Sequence, residues 1–550
     1  MNSLESIYTT LKETIIQLFP LVSADKMSKI ELHLDTDPSK QQFGDLSSNC
    51  ALIIGKDQQL PPASVAQTIK DALKNPAIER VDIAAYNFIN IVITQETYKE
   101  LGASLYREKG QFFVNSQEKK KSYSIEFVSA NPTGPLHIGH GRGGIIGDVL
   151  ARVIRFLGNT VTTEFYINDA GSQMQKLGSS LIMRCKQLLN IPVELPEDAY
   201  HGEYLIQLAQ ECIDKYGTEV LENPPSFFVN YAEQHLLRLI QKTLTDYGIS
   251  FDVWFSEKTL HESGAIEEAL TQLKHTGFLY TKDDALWFTS TVFGDDKDRV
   301  VKKNSGELTY VAADIAYAKN KMERGFDQLI MILGQDHHSY VVRLKAVMQA
   351  LGYNPQALDV ILYQLVTLKE SGQSLRLSKR AGRSISLDDV ITTVGRDVAR
   401  FFYLHKKADA HLDFDLELAL KHTEENPVYY IQYAYVRTKS ILQKAEGESM
   451  FAAISEEDSA FLGEAERSVL KKIISLKTLL KTINSSYQTH MLAYYTIELA
   501  QHFHAYYSHH RVIDIEQREQ SRGRLLMTTL LRDTFKLCFD LLGISAPERM

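Results

Sequence analysis

The sequence is poor in cysteine and has no long hydrophobic run. Its four cysteines, at positions 50, 185, 212 and 538, are widely scattered and form no Cys-x-x-Cys pair. A zinc site and a disulfide framework are therefore not expected, and a reducing cytoplasm suits such thiols. No apolar run is long enough to cross a bilayer. The N-terminus also lacks the charged start and apolar centre of a signal peptide, so the sequence predicts a cytoplasmic protein with no membrane partner.

An excess of positive charge is absent as well. The chain has 550 residues, with 60 Lys and Arg against 69 Asp and Glu, and a formal net charge of −9. This balance argues weakly against a nucleic-acid partner, but a large RNA-binding enzyme needs only a local basic face. The hydrophobic content of 44% is ordinary for a soluble globular protein. The length predicts about three or four domains.

The most informative segment, residues 129–140, holds two histidines three positions apart. A strand is predicted before it at 123–128, and a helix after it from 139 to 158, from the spacing of apolar residues. A second strand, predicted at 160–167, completes a βαβ unit. The N-terminus of a helix has unpaired N–H groups and a partial positive charge, so this junction is suited to phosphate.

His137 and His140, at the start of that helix, can donate hydrogen bonds to phosphate oxygens whose charge grows during attack on a nucleotide. Gly139 lets an adenine ring or a phosphate approach the backbone without meeting a Cβ atom. The alternative is a solvated histidine pair on a loop. The surrounding Pro and Gly residues favour the nucleotide site.

A rival interpretation uses the glycines of the same helix. Gly139, Gly141 and Gly144 satisfy Gly-x-Gly-x-x-Gly, which is typical of dinucleotide-binding dehydrogenases, with Glu164 as a conceivable ribose ligand. That fingerprint begins where the strand ends, whereas here residues 129–138 lie between the strand and the first glycine. The match is therefore interpreted as accidental.

Residues 129–140 resemble the HIGH signature of class I aminoacyl-tRNA synthetases, and residues 130–142 resemble its arginyl-tRNA synthetase version. Residues 376–382, Arg-Leu-Ser-Lys-Arg-Ala-Gly, are similar to the second signature of that class, with Lys379 at its principal lysine. A capping-box pattern, Ser386-x-x-Asp389, predicts a helix directly after this basic loop. The sequence thus resembles bacterial arginyl-tRNA synthetases.

The resemblance implies the residues that act on ATP. It assigns catalysis, by stabilising the charge of the transition state, to His137, His140 and Lys379. It places ATP against Pro135, Gly139, His140, Asp336, His337, Ser378, Lys379 and Arg380. Mg²⁺ enters with ATP, and no prosthetic group or zinc is expected. A metal site at Asp336-His337-His338 is the alternative there, but no further ligand stands at a suitable spacing.

For arginine, the resemblance implies five contacts. Asn131 holds the α-amino group, Glu126 is an acidic contact, Tyr310 packs along the side chain and Asp314 binds the guanidinium. Gln335 also contacts the substrate. Carboxylates suit this task because a guanidinium forms its strongest hydrogen bonds with them.

The predicted fold is multidomain, α/β and all-α. An N-terminal α+β domain (1–118) precedes a Rossmann-like parallel-sheet catalytic domain (119–385), which has helical insertions at about 172–300. A helical anticodon-binding bundle (386–550) follows. The N-terminal segment Phe43-Gly44-Asp45 also resembles that of the family.

The resemblance further implies two regions that bind tRNA. Phe88 and Asn90 of the N-terminal domain would meet the D-loop corner by stacking and edge reading, unless Phe88 is core and Asn90 a turn residue. In the bundle, most aromatics are expected in the core. The residues expected to touch RNA there are Tyr433, Arg437, Tyr507 and Arg511.

The resemblance implies ligation of L-arginine to tRNA(Arg) through arginyl-adenylate. It also implies that tRNA is needed for the first step and that the enzyme is a monomer. Two other classes remain open. One is a different nucleotidyl-transfer enzyme that uses His-x-x-His, against which the anticodon-like C-terminal half argues. The other is a non-catalytic RNA-binding relative, against which the retained His137, His140 and Lys379 argue.

Overall fold

The N-terminal part is a four-stranded antiparallel sheet with flanking helices. The computed structural model describes residues 3–37, 43–114, 119–370, 373–374, 385–447 and 453–550. The sheet has the strand order β1-β2-β4-β3. Its elements are α1 (Ser3–Leu18), α2 (Ala24–Ser28), β1 (Leu32–Leu34), β2 (Leu46–Ser48), α3 (Cys50–Gln58), α4 (Pro62–Ala72), β3 (Ile78–Ile83), β4 (Ile89–Ile93) and α5 (Gln95–Glu108). The predicted α+β character of this part is confirmed.

A five-stranded parallel sheet forms the centre of the molecule, in the order β12-β11-β5-β6-β7. The chain from residue 119 forms β5 (Ser122–Phe127), α6 (Ile138–Phe156), β6 (Thr160–Ile167), α7 (Ser172–Leu188), α8 (Glu203–Tyr216), α9 (Pro225–Asp246), β7 (Val253–Ser256), α10 (Lys258–Glu262), α11 (Ala265–His275), β8 (Leu279–Lys282), β9 (Ala285–Phe288), β10 (Arg299–Lys302), α12 (Tyr310–Glu323), β11 (Gln328–Gly334), α13 (His338–Ala350) and β12 (Leu358–Tyr363). Parallel strands end at one common edge, which is where open α/β sheets bind ligands. The predicted Rossmann-like sheet is confirmed.

The stretch at 172–300 is largely helical, and it also contains four short strands that were not predicted. Helices α7, α8 and α9 do form a unit with its own apolar core. However, β7 is the edge strand of the central sheet, and β8, β9 and β10 form a separate antiparallel sheet. These strands have four residues each, so they are too short for a periodic pattern to distinguish them from helix.

The C-terminal part is a helical bundle with one small sheet at its start. Its elements are β13 (Val366–Glu370), β14 (Gln373–Ser374), α14 (Leu387–Val394), α15 (Arg396–Leu404), β15 (Leu412–Asp415), α16 (Leu416–Ala419), α17 (Pro427–Glu446), α18 (Glu464–Ser486), α19 (His490–His509) and α20 (Arg518–Leu542). The predicted helical character is confirmed. Strand β15 pairs in parallel with β13, so this sheet crosses the predicted boundary at 386.

One continuous apolar core joins the N-terminal sheet, the central sheet and the bundle. All four cysteines lie buried as free thiols. Burial raises the pKa of Cys50 to about 11 and that of Cys538 to about 12, which makes both thiols unreactive. In the described part of the chain, no helix has the length and apolarity required to cross a bilayer.

Candidate active site

The two signature histidines cap the N-terminus of α6. The Nδ1 atom of His137 accepts a hydrogen bond from the backbone N–H of Gly139 at 3.1 Å. The Nδ1 atom of His140 accepts one from the backbone N–H of His137 at 3.2 Å. The two rings stack with their centroids 3.7 Å apart. Since a backbone N–H can only donate, both Nδ1 atoms are unprotonated, and the proton of each neutral ring is on Nε2.

Burial keeps one of these rings neutral. It lowers the pKa of His140 to about 3, and the neighbouring His137 lowers it further. At neutral pH the His140 ring is therefore an uncharged Nε2–H donor whose partner must come from outside the cap. An oriented N–H group of this kind stabilises charge that develops on a phosphate.

Close packing explains the glycines of α6. A Cβ atom on Gly139 would lie 2.9 Å from Cε1 of His137, and one on Gly141 would lie 2.5 Å from Leu387. A Cβ atom on Gly147 would lie 2.3 Å from the ring of Phe127 on β5. A Cβ atom on Gly144 would lie 3.1 Å from Ile249. Of the glycines that matched the dehydrogenase fingerprint, Gly141 and Gly144 thus bring the helix close to its neighbours, and Gly139 leaves room for the ring of its own cap.

The second signature lies outside the described residues, so the predicted sites Ser378, Lys379 and Arg380 have no described geometry. The segment that follows it is described. Ser386 and Asp389 form the predicted capping box at the start of α14. The backbone N–H of Leu387 donates to the Leu136 backbone oxygen at 2.8 Å. His137 and Ser386 form an isolated antiparallel β-bridge. The segment after the second signature is therefore attached to the segment that carries the first.

Beneath the sheet edge lies a buried cluster of charges. Glu126 on β5 accepts hydrogen bonds from the Tyr317 hydroxyl at 2.9 Å and from Ser129 at 3.0 Å, and it also pairs with Lys321. The carboxylate of Glu164, on β6, accepts a hydrogen bond from the Tyr317 hydroxyl and forms a bidentate salt bridge with Arg324. Two buried carboxylates are thus matched by two cations, as burial of charge requires.

Asp314 is different, because the one cation that pairs with its carboxylate among the described residues is distant. It lies on the first turns of α12 and accepts a hydrogen bond from the Tyr340 hydroxyl at 2.8 Å. Nε of Arg343 is 4.0 Å away. Burial raises the pKa of Asp314 to about 6, and the charges of Glu257 and Glu126 raise it as well. A carboxylate that lies near other carboxylates and far from its cation is suited to a cationic ligand.

Glu257 is a residue that the sequence analysis missed. It follows the last residue of β7, is 4% exposed and lies 3.6 Å from Nε2 of His261. Burial raises its pKa. The hydroxyl of Tyr166 lies near Glu257, Asp314 and Glu126, whose charges add to burial in raising the pKa of this phenol. The signal in the sequence was an acidic residue at the carboxyl end of a strand, but β7 itself was not predicted.

The other predicted arginine contacts lie at the same edge. Asn131 is exposed and donates through Nδ2 to Oε1 of Gln173 at 2.9 Å. It follows a strained turn, since Val128 and Ser129 have φ angles of 68° and 41°, which are unusual for residues other than glycine. Tyr310 is the first residue of α12 and is 57% exposed. Gln335 is half-buried in the turn that follows β11.

The predicted adenosine contacts are at the surface. Pro135 is half-buried, and Asp336 and His337 are exposed beside β11. Nε2 of His337 lies 3.8 Å from Oδ2 of Asp336. Within the described ranges, no group of three or more His, Cys, Asp or Glu side chains is arranged to hold a metal ion.

The predicted RNA contacts of the N-terminal domain lie on one hairpin. Phe88 is half-buried, and Asn90 is only 8% exposed within β4, where it pairs with residues of β2 and β3. The alternative that Asn90 is a turn residue is therefore wrong. Tyr86, in the connection between β3 and β4, is 83% exposed and has a φ of 59°. The sequence analysis did not single out this exposed ring.

The predicted RNA contacts of the bundle lie on α17, α19 and the segment after α19. Tyr433 and Arg437 are exposed on α17. Arg437 donates to the Tyr507 hydroxyl at 2.9 Å, and its guanidinium lies 5.0 Å from the centre of that ring. Arg511 is exposed beyond α19, whereas Tyr435 is buried against Phe539.

Comparison with known proteins identifies the family. The chain matches three family models: Arginyl tRNA synthetase N terminal domain at residues 5–93, tRNA synthetases class I (R), catalytic domain, at 102–415, and DALR anticodon binding domain at 431–550. An arginine–tRNA ligase of Solidesulfovibrio magneticus is 41% identical, with 93% of this chain and 95% of the relative covered. One of Oleidesulfovibrio alaskensis is 40% identical, with both chains covered completely.

A solved structure shares the fold. The arginyl-tRNA synthetase of Thermus thermophilus superposes with a TM-score of 0.79 at 20% identity, covering 99% of this chain and 100% of that one. The family models together extend over the N-terminal sheet, the central sheet and the bundle. The chain belongs to the arginyl-tRNA synthetases, which are class I aminoacyl-tRNA synthetases.

Proposed function

We propose that this chain, as a member of that family and an arginine–tRNA ligase, activates L-arginine with MgATP and transfers it to tRNA(Arg) at the edge of the central sheet. One observation carries the assignment of the site: an oriented pair of imidazoles and a group of buried carboxylates occur at the same carboxyl edge of β5, β6, β7 and β11. The imidazoles suit the phosphates of ATP, and the carboxylates suit a guanidinium.

In the first step, the arginine carboxylate attacks the α-phosphate of ATP in line, and pyrophosphate leaves. The Nε2–H groups of His137 and His140 donate to the phosphate oxygens as negative charge grows on them. Lys379, with Ser378 and Arg380, supplies cations and a hydroxyl to the triphosphate. The adenosine side is formed by Pro135, Gly139, Asp336 and His337. None of these groups acts as a covalent nucleophile.

The guanidinium lies against Asp314 and Glu257. Oε1 of Glu126 accepts a hydrogen bond from Ser129 and has a second lone pair, which serves as the third acceptor for the guanidinium. Tyr310 packs along the aliphatic part of the substrate. Asn131 holds its α-amino group, and Gln335 contacts it from the end of β11. The five donors of a guanidinium are thereby met by convergent acceptors, which excludes uncharged analogues.

In the second step, a hydroxyl of the terminal ribose of tRNA(Arg) takes the arginyl group. Residues 1–118 hold the D-loop corner through Phe88 and Asn90, and residues 386–550 hold the anticodon through Tyr433, Arg437, Tyr507 and Arg511. Residues 119–385 form the catalytic domain. The enzyme acts as a cytoplasmic monomer, and tRNA is needed for the first step because its binding completes the site, an induced fit.

The test is arginine-dependent exchange of pyrophosphate into ATP, with and without total tRNA, followed by arginylation of tRNA. Exchange only in the presence of tRNA supports the whole proposal. Exchange without tRNA retains the ligase assignment and removes the induced fit. Absence of both reactions in folded protein overturns the proposal.

The residue assignments are tested with two variants. Glu257→Gln is expected to raise KM for arginine strongly and to leave KM for ATP unchanged. Asp336→Asn, at an exposed carboxylate of the adenosine side, is expected to leave KM for arginine unchanged. The opposite pattern would remove Glu257 from the arginine pocket.

A further inference from the structure

The Phe43-Gly44-Asp45 segment has no role in the proposed reaction, yet Asp45 is one of the most fully bonded carboxylates of the N-terminal sheet. Its backbone N–H donates to the Ile91 oxygen at 2.8 Å. Its Oδ2 atom accepts from the backbone N–H of Ile93 at 2.9 Å. Asp45 is therefore bonded at two positions along β4, the strand that carries Asn90.

The other carboxylate oxygen of Asp45 faces the bundle. Oδ1 accepts a hydrogen bond from Nζ of Lys471 on α18 at 3.0 Å, and another from the Tyr98 hydroxyl on α5. The side chains are 5% exposed for Lys471 and 12% exposed for Asp45. A buried ion pair between residues 426 positions apart thus joins the N-terminal sheet to the bundle.

Such a pair is costly to form, because both ions lose their hydration. Packing with apolar residues of the same volume is often equally stable, so stability alone does not explain this arrangement. What an ion pair with fixed hydrogen bonds adds is a defined geometry. A cation–π contact also joins the N-terminal part to the bundle, because the guanidinium of Arg467 on α18 lies 5.5 Å from the ring centre of Tyr98 on α5.

Helix α18 transmits this position to α19, which carries Tyr507. The Tyr506 hydroxyl of α19 donates to Oε1 of Glu466 at 2.7 Å. The Tyr495 hydroxyl donates to the Lys472 oxygen at 2.9 Å. Both acceptors lie on α18, within one and a half turns of Lys471. Direct contacts therefore link the strand of Asn90 to the helix of Tyr507.

We propose that Asp45 and Lys471 are positioning residues for tRNA, because they hold two tRNA-binding faces at one fixed separation. These are the D-loop face, which carries Phe88 and Asn90, and the anticodon face, which carries Tyr433, Arg437, Tyr507 and Arg511. This inference rests on the proposed function, in which both faces bind the same tRNA. When two faces bind one ligand, the second contact is intramolecular, and its strength depends on how well the geometry is set in advance. Breaking the pair leaves each face intact but makes the tRNA orient them.

The test compares the wild type with Asp45→Asn, Lys471→Met and the double variant in arginylation assays. Each single variant is expected to raise KM for tRNA about tenfold. This factor lies in the middle of the range of coupling energies measured between residues in contact. KM values for arginine and ATP are expected to stay unchanged. The double variant should be no worse than the worse single variant, because the two side chains act as one unit.

A matched control uses a pair at the same boundary. Arg107 and Glu456 form an exposed ion pair at 2.9 Å between α5 and the bundle, and exposed pairs contribute little. Arg107→Met should therefore leave KM for tRNA unchanged. If Asp45→Asn does not fold, Tyr98→Phe removes one hydrogen bond to the same carboxylate and should raise KM for tRNA by a smaller factor of about 2–3.

A second readout separates positioning from general damage. Direct binding of tRNA, measured by fluorescence anisotropy, is compared for natural tRNA(Arg) and a transcript with a substituted D-loop nucleotide. The nucleotide substitution should weaken tRNA binding to the wild type more than to Lys471→Met. In that variant the D-loop face and the anticodon face are no longer held at the separation that lets both bind one tRNA. Equal losses, or an unchanged KM for tRNA in both single variants, overturn the inference. Absence of charging by the wild type overturns the proposed function instead.

Discussion

Arginine binding should depend on pH through Asp314. Burial and nearby carboxylates raise the pKa of this group from 3.8 to about 6. The guanidinium needs the ionised form, so binding must remove the proton wherever Asp314 still carries one. The Kd for arginine should therefore be constant above pH 7 and rise about tenfold per pH unit below pH 6. The raised pKa of Glu257 acts in the same direction and makes the dependence steeper.

The same shift has a consequence for stability. A rise from 3.8 to about 6 corresponds to about 3 kcal/mol. The sign is unfavourable for the folded protein above pH 6, where the carboxylate is ionised and largely withdrawn from water, and the cost disappears below pH 4. A bound guanidinium offsets it. Arginine should accordingly raise the Tm more at pH 7 than at pH 5.

Isothermal titration calorimetry between pH 5 and 8, in buffers of different ionisation enthalpy, measures both the Kd and the protons released. About half a proton per arginine is expected from Asp314 at pH 6. Asp314→Asn should reduce this release to the share that comes from Glu257 and weaken binding by a factor of about 100 or more. Asp336→Asn is the matched control, since this carboxylate is exposed at the neighbouring strand end. A Kd that does not change from pH 5 to 8, or a proton release that is undiminished in Asp314→Asn, refutes the reasoning.

Three further predictions concern other parts of the molecule. His140→Asn should lower the rate of pyrophosphate exchange about 10²–10³-fold without changing KM for arginine, and an unchanged rate would remove His140 from catalysis. Gly147→Ala should destabilise the protein by about 1–3 kcal/mol in thermal unfolding, because its Cβ would lie 2.3 Å from the ring of Phe127. Gly110→Ala is the control and should be tolerated, because its Cβ would lie 3.5 Å from the ring of Phe156, an ordinary contact distance. Arg437→Ala should weaken tRNA binding and reduce its salt dependence, in titrations at several salt concentrations; an unchanged salt slope would show that Arg437 does not meet a phosphate.

Local signals predicted the elements that they encode. The predicted helix at 139–158 is α6 (Ile138–Phe156), and the predicted strand at 160–167 coincides with β6. The capping box at Ser386 forms because both of its partners lie within one turn. In each case the interacting residues are close in sequence, so their spacing contains the information.

Contacts between distant residues were not accessible in this way. The strand β7 has four residues between helices, and without it Glu257 had no place at the sheet edge. Likewise, the pairing of Glu126 with Lys321 depends on β5 and α12 meeting in the fold. A single sequence shows that these residues are charged, but it does not show which charges become buried together.

The cap formed by His137 also constrains evolution. The ring occupies the space that any side chain at position 139 would need, since a Cβ atom there would lie 2.9 Å from Cε1 of the imidazole. A mutation at 139 would push the ring off its backbone partner and disturb the proton position on Nε2. The glycine at 139 is therefore tied to the cap: a larger residue there is compatible with this fold only if the His137 ring moves.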